Sequence, residues 1–323
     1  MEVILGVDIG GTCTKYGAID SEGDLLFQGE VSSRIADNFE GFTAALSEEI
    51  DKRLTGFSCR LKSIGVGSPM GSSLTGRITG ACNLEDIWGE DVPLVSTFEA
   101  RFKVPAFLMN DSNAAAVGEK YYGHAQPYQN FLVLTLGTGL GCGIYSNGSL
   151  LIGKRGTAGE VGHTNAMPDG RPCNCGRKGC LETYVSATGI VRTAEELMKT
   201  DYFPNSTSNF IDAESLAIAA NHGDPLAQEA FNITGKYLGN ALADQAAIFD
   251  PEAIILTGGL SRAGDLLLDP AKATFEAQVL PSLKGNVDLW VSDPKVKNKA
   301  VLGAASYARE EFSSLEPQMV EEL

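Results

Sequence analysis

Between Gly162 and Cys180 the chain reads GHTNAMPDGRPCNCGRKGC, which gathers one of its three histidines and three of its seven cysteines into 19 positions. Imidazole and thiolate are the ligands of a borderline-soft metal ion, and such spacing serves either a metal or a disulfide staple. The start of the chain, MEVILGVDIGG, carries no basic leader followed by an apolar run and a small-residue cleavage site. That places the protein in the reducing cytosol, where stable disulfides are rare, and seven cysteines is an odd number. The expectation is a cytoplasmic protein with a metal site.

Two glycine-rich stretches offer a second chemistry. Asp8-Ile9-Gly10-Gly11-Thr12 is followed by Lys15, and Leu136-Gly137-Thr138-Gly139-Leu140-Gly141 repeats the form further along. Glycine lets the backbone approach a ligand closely, and successive N–H groups then cradle phosphate oxygens. Either stretch alone reads as a tight hairpin turn; the pair favours a phosphate clamp. Neither is a Walker loop, and Cys142 stands where a GxGxxG motif needs its last glycine. Asp8, where strand meets turn, suits a hydrated Mg²⁺, or holds the turn by accepting N–H groups. In FLMNDSNA, Asp111 falls where a strand gives way to a helix, the place where ligands of open α/β sheets bind. It reads as a helix cap or as a general base that the helix start keeps ionised.

These residues need a frame. Alternating strand-like and helix-like segments indicate an α/β class. Residues 2–7, 14–20, 63–69, 105–110, 131–137 and 253–259 read as strands. Residues 38–54 set Phe39, Phe42, Leu46, Ile50 and Leu54 on one helical face. Helices follow from Asp111, over much of 181–237, from about Ser261, and along AVLGAASYAREEF near the end. GVDIGGTCTKYGAI and LTLGTGLGCGIY share one form, strand, Gly/Thr turn, strand, which suggests a duplicated framework with a cleft between the copies.

Length and charge narrow the function. At 323 residues two domains are expected. With 43% hydrophobic and 20% charged residues the composition is that of an ordinary globular enzyme. A net charge of −16 repels nucleic acid and anionic lipid. The longest apolar-rich run, FLVLTLGTGLGCGIY, is too short and too rich in Gly and Thr to span a bilayer.

With these residues in hand, the chain resembles the ROK sugar kinases, most of all their bacterial glucokinases. DIGGTCTK, MNDSNAAA, LGTGLGCG, AGEVGH, CNCGRKGCLE and LTGGLS stand in the family's order, so the resemblance spans essentially the whole chain. It implies the actin-like ATPase (ribonuclease H-like) architecture, two α/β domains with a central cleft. The domains are expected at 1–115, completed by a C-terminal helix at about 300–315, and at 116–299. The resemblance makes Asp111 the base that takes the sugar hydroxyl proton. It gives Asn110, Glu160, His163 and Glu182 the sugar hydroxyls, with Asn83 of ACNLEDIW as a looser match. Thr12, Thr138 and the two glycine turns would face the ATP phosphates, and Gly258 and Gly259 the adenosine.

The same resemblance assigns His163, Cys173, Cys175 and Cys180 as one Cys₃His set for tetrahedral Zn²⁺. Four protein ligands leave no open position, so the zinc is expected to be structural, ordering the loop that carries Glu160, His163 and Glu182. Gly176 and Gly179 would let the loop fold back to present Cys180. His124 and His222 read as surface or loop residues, Cys59 and Cys82 as small buried hydrophobes. Cys13 and Cys142, inside the turns, have no neighbour that marks them as activated thiols.

The expected reaction is transfer of the ATP γ-phosphoryl to a hexose hydroxyl, glucose O6 first, with Mg²⁺, the glycine turns and Lys15 neutralising charge. Fructose, N-acetylmannosamine and allose are alternative acceptors, and polyphosphate an alternative donor. Repressors of the family carry an N-terminal DNA-binding domain, whereas here the first phosphate strand begins near residue 3 of an acidic chain. A silent sugar sensor would lack Asp111 or one of the turns. The family implies a homodimer or a pair of dimers.

Overall fold

Asp8 and its glycine turn owe their place to a strand with almost no polar side chains. Residues Glu2–Ile9 form β1, buried along nearly its whole length, as expected of a central strand covered on both faces. β1 turns through Gly10–Thr12 into antiparallel β2 (Cys13–Ile19), which pairs with β3 (Leu25–Ser32). The computed structural model describes residues 1–80, 84–200, 202–203 and 211–321, and these divide into two units. Unit 1 comprises Met1–Pro127, Ile152–Thr157 and Asp293–Leu323; unit 2 comprises Tyr128–Leu151 and Ala158–Ser292.

In unit 1, α1 (Phe39–Gly56) follows β3, its first turn capped by the Asn38 side chain, which accepts the Gly41 N–H at 2.7 Å. Phe42, Leu46 and Ile50 of its apolar face are fully buried; truncating one such phenylalanine to alanine costs about 3–5 kcal/mol. β4 (Arg60–Ser68) then runs parallel to β1. A small antiparallel sheet of β5 (Gly71–Ser72), β6 (Arg77–Thr79) and β7 (Asp91–Val92) encloses the short α2 (Glu85–Trp88) in the chain order. Next come α3 (Leu94–Phe102), β8 (Ala106–Asn110), parallel to β4, and α4 (Asp111–Tyr122). The sheet order is β3-β2-β1-β4-β8.

Unit 2 repeats this plan. β9 (Phe131–Leu136) turns into antiparallel β10 (Leu140–Ser146), which pairs with β11 (Ser149–Leu150). The metal-site loop follows, then α5 (Ala187–Met198), α6 (Ala213–Asn221) and α7 (Pro225–Phe249). β12 (Ala253–Thr257) lies parallel to β9, α8 covers Asp265–Gln278, and β13 (Asp288–Val291) closes the sheet in the order β11-β10-β9-β12-β13. The two sheets share one strand order and one pattern of directions, so the duplication read from the two hairpins extends to the whole framework.

The last helix, α9 (Lys299–Glu321), returns to unit 1. It packs on β1 and β4 through glycines: a Cβ at Gly6 would overlap the Val301 carbonyl, and one at Gly65 the Ala304 carbonyl. Only glycine permits so close an approach of helix backbone to sheet. A buried ion pair, Lys299 Nζ to Glu119 Oε1 at 2.9 Å, joins α9 to α4. The domain boundary expected near 115/116 falls inside α4, whereas the units part between Pro127 and Tyr128. The helix expected from Ser261 begins at Asp265, after a 3-10 turn over Leu260–Ala263.

Candidate functional site

Unit 1 brings its acidic and basic candidates together around the first glycine turn. Gly10 N–H donates to the Cys13 carbonyl at 3.1 Å, and Ser33 braces the turn twice, through Oγ to the Gly10 carbonyl at 2.6 Å and N–H to the Thr12 carbonyl at 3.0 Å. Thr12 is exposed at the apex. Asp8 and Lys15 are directly paired across β1 and β2, which sets their side chains on one face of the sheet. Burial, and after it the negative charge of Asp111, raises the Asp8 carboxyl to about 6, against the pull of Lys15. Asp8 and Asp111 therefore share one electrostatic neighbourhood, although 103 positions separate them in the sequence.

Asp111 is the first residue of α4, and the cap is its neighbour: Asn110 Oδ1 accepts the Ser112 N–H at 2.9 Å. Asp111 Oδ1 also accepts that N–H at 2.9 Å and the Ser112 hydroxyl at 3.4 Å. Burial outweighs both Ser112 donors and raises the Asp111 pKa, as desolvation does when it exceeds local hydrogen bonding. A raised carboxylate is the better proton acceptor near neutral pH. Ile9, Gly10, Gly11, Ser68, Pro69, Leu84 and Trp88 line a small cavity beside the turn. Asn83 and Cys82 lie outside the described residues.

Unit 2 presents its turn differently. The Gly137 carbonyl accepts the Ala187 N–H at 2.8 Å and the Thr138 carbonyl the Thr188 hydroxyl at 2.9 Å, so the start of α5 fixes the turn. Thr138 is exposed. Glu182, in a 3-10 turn over Leu181–Thr183, accepts the Leu140 N–H through Oε2 at 3.0 Å. Gly139 faces that same oxygen, where a Cβ would collide with it. Gly258 follows β12 and packs on Leu136, beside the turn, while Gly259 borders open space.

The metal-site loop leaves β11 and returns on itself. Gly176 N–H donates to the Cys173 carbonyl at 3.0 Å, and Asn165 forms an antiparallel bridge with Cys180. Gly176 and Gly179 have φ of 84° and 74°, the left-handed region that a side chain resists. The loop does fold back at these glycines to present Cys180. The candidate ligand atoms of His163, Cys173, Cys175 and Cys180 all lie within 4.8 Å of one another. Cys175 Sγ is 3.6 Å from Cys180 Sγ, and Cys173 Sγ is 3.7 Å from His163 Nδ1. Tetrahedral Zn–S bonds of ~2.3 Å place neighbouring sulfurs about 3.8 Å apart, so the set fits zinc and is too long for a disulfide.

The remaining sugar candidates cluster around this set. His163 Nε2 lies 3.8 Å from Glu160 Oε2, while its Nδ1 faces Cys173. One imidazole thus serves the metal set with one nitrogen and the exposed Glu160 with the other. Glu182 Oε1 is 3.9 Å from Cys173 Sγ. Neither thiol beside the turns has a lowered pKa: burial pushes Cys142 up to about 12, and burial with Glu30 raises Cys13. Cys59 is half-buried against the core of unit 1. His222 is exposed, and His124 is half-buried in the turn after α4.

Sequence reasoning passed over two participants. Ser33 carries no motif, and its role rests on long-range contacts to the turn. Arg171 stands within the metal loop, but its partners come from residues 183–196, beyond the reach of local spacing.

The ROK family profile matches residues 4–311. The chain belongs to the ROK family. Over 97% of its length it is 36% identical to the glucokinase of Halalkalibacterium halodurans, covering 96% of that protein. It is 34% identical to the Thermotoga maritima glucokinase, over 95% of this chain and 97% of the other. Among solved structures, the ROK family glucokinase of Streptomyces griseus, in complex with glucose and AMPPNP, superposes with a TM-score of 0.78. That match has 31% identity and covers 95% of this chain and 99% of the other. The actin-like ATPase fold of the ROK sugar kinases is therefore the fold of this chain. Among the described residues no helix is long and apolar enough to cross a membrane.

Proposed function

We propose that this protein is an ATP-dependent glucokinase that phosphorylates glucose at O6. The observation that carries the reading is the meeting of Asp111 with Asp8 and Lys15 at a glycine turn, in a chain similar over its whole length to glucokinases. Asp111, its pKa raised by burial, takes the proton of the attacking hydroxyl as the oxygen forms its bond to the γ-phosphorus and the bond to the β-phosphate oxygen breaks. Asn110, Glu160, His163 and Glu182 hold the sugar hydroxyls, with Asn83 as a further candidate.

The N–H groups of Gly11, Thr12, Thr138 and Gly139 receive the phosphates, while Gly10 and Gly137 shape the two turns by donating to the Cys13 and Gly139 carbonyls. Gly258 and Gly259 lie against the adenosine. Asp8 would hold Mg²⁺, which supplies charge neutralisation on the phosphates. His163, Cys173, Cys175 and Cys180 would hold a zinc ion that supplies structural order to their loop. Met1–Pro127, Ile152–Thr157 and Asp293–Leu323 form the base-carrying domain, and Tyr128–Leu151 with Ala158–Ser292 the zinc-carrying one. The protein acts in the cytoplasm, as a homodimer or pair of dimers.

A coupled ADP-release assay with Mg-ATP and a panel of glucose, fructose, mannose, allose, N-acetylglucosamine and N-acetylmannosamine tests this. Glucose should show the highest kcat/KM, by about tenfold or more, since single hydroxyl contacts discriminate strongly. Another sugar in first place would replace the substrate, and no turnover with any of them would remove the kinase reading.

A further inference from the structure

Arg171 sits between Gly170 and Pro172 in the metal-site loop, 8% exposed, and every N–H of its guanidinium is taken. Nε donates to Glu196 Oε1 at 2.9 Å and Nη2 to Glu196 Oε2 at 2.6 Å. Nη2 also donates to Thr193 Oγ1 at 2.9 Å, and Nη1 to the carbonyls of Thr183 at 2.6 Å and Gly189 at 3.1 Å. The Tyr184 ring lies under the guanidinium at 4.4 Å, and the Tyr184 hydroxyl accepts the Arg171 backbone N–H at 3.0 Å. A buried cation is costly unless its donors are satisfied, and here all five are.

Four of these bonds anchor the guanidinium to α5, and the fifth reaches the short 3-10 turn that carries Glu182. The Thr183 carbonyl, one residue on, accepts from Arg171; the Glu182 carbonyl itself accepts the Ser186 hydroxyl at 2.7 Å. A three-residue turn has too few bonds of its own to fix a side chain, so its neighbours must do so. On the other side, Cys180 ties the turn to the metal set. The turn is held from two directions, by the metal ligands and by a guanidinium that is not one of them.

We infer that Arg171 is a positioning residue that fixes the Glu182 carboxylate against the sugar, separately from the metal. This rests on the reading of Glu182 as a sugar ligand. The planar fork matters, because a lysine ammonium cannot span Glu196, Thr183 and Gly189 together.

The test uses the full-length enzyme with zinc content, calorimetric glucose binding, and kcat and KM measured for R171K, E182Q and the double variant. R171K should keep wild-type zinc and raise the glucose KM by ~10–100-fold, as loss of an outer support does, with kcat far less affected. If Arg171 acts through Glu182, the double variant is no worse than E182Q alone. Penalties that multiply in the double variant, or an unchanged KM in R171K, would overturn the inference. Should R171K lose zinc or fail to fold, E196Q decides. It releases only one side of the fork, and it should raise the glucose KM to a smaller degree with zinc retained; an unchanged KM there overturns the proposal. Failure of the underlying reading is separately visible, since E182Q would then leave glucose binding unaltered.

Discussion

The two units share a five-strand order and a three-residue glycine turn, yet the turns are furnished in opposite ways. In unit 1 the strands flanking the turn carry Asp8 and Lys15 face to face, with Asp111 close by. In unit 2 the place of Asp8, one residue before the end of the first strand, is taken by Thr135, and its cross-strand partner is Gly141. Unit 2 brings its carboxylate, Glu182, from a loop 42 residues past Leu140, flanked by the Cys₃His set and the buried Arg171. Duplication has preserved the scaffold and divided the chemistry. Asp8 and Lys15 stand on regular strands and Asp111 at a helix start in one copy, and a loop presents Glu182 in the other. Groups on strand and helix ends inherit their geometry from the sheet, whereas a loop must be given its own supports.

The sharpest way to break this contrast is at the base. D111N should bind glucose with nearly unchanged affinity and lose at least ~100-fold in kcat, read by calorimetry and steady-state kinetics; near-normal turnover would move the base elsewhere. The Asn110 cap remains in place in that variant, so α4 should stay folded.

On the braced side, C180S or removal of zinc by a chelator should raise the glucose KM by ~10–100-fold. It should also lower the melting temperature, with unit 1 keeping its own cooperative transition in calorimetry. An enzyme stripped of metal with full sugar affinity would leave the loop's order to Arg171 alone.

The pH dependence sharpens the comparison from the other side. Asp8 must be ionised to attract a cation, so kcat/KM should decline by about tenfold per pH unit below about 6. For stability the sign is reversed. Folding raises the Asp8 pKa from 3.8 to about 6, so between these values the folded state binds more protons than the unfolded state. The favourable contribution is full below about pH 4, falls as pH rises through 6, and is absent above it. Denaturant titrations of wild type and D8N at pH 4.5 and 7.5 check this: D8N should lack that part of the decline.

The smallest expected effect separates two neighbouring glycines. G139A pushes a methyl group into the Glu182 carboxylate and should raise the KM values several-fold, whereas G137A meets open space and should stay within about twofold. Equal effects would mean that the turn is set by backbone conformation alone.

Much of this was legible in the sequence, for identifiable reasons. The two hairpins announce themselves because apolar strands flank glycine turns, and α1 shows because five apolar residues recur at helical spacing. β3 and β13 were missed because edge strands alternate irregularly: β3 is exposed or half-buried at most positions, and Gly29 interrupts it against the Tyr16 ring. β5, β6 and β7 are too short to leave a period. Residue type and order pointed to Asp111 and to the Cys₃His set, whose ligand atoms the fold gathers within 4.8 Å of one another. The raised pKa of Asp111 was not legible, because burial depends on what packs over a residue rather than on its neighbours in sequence. Arg171 was invisible for the same reason.

The return of α9 to unit 1 also sets a schedule. During synthesis every strand of the first sheet emerges early, but the surface that Gly6 and Gly65 reserve for α9 stays uncovered until Lys299 and the residues after it have left the ribosome. Unit 2 has all of its strands and its metal ligands before that moment. Domains fold as their chain becomes available, so every segment of unit 2 is on hand before α9 can cover unit 1. A chain that stalls short of α9 therefore leaves the glycine-lined face of β1 and β4 uncovered.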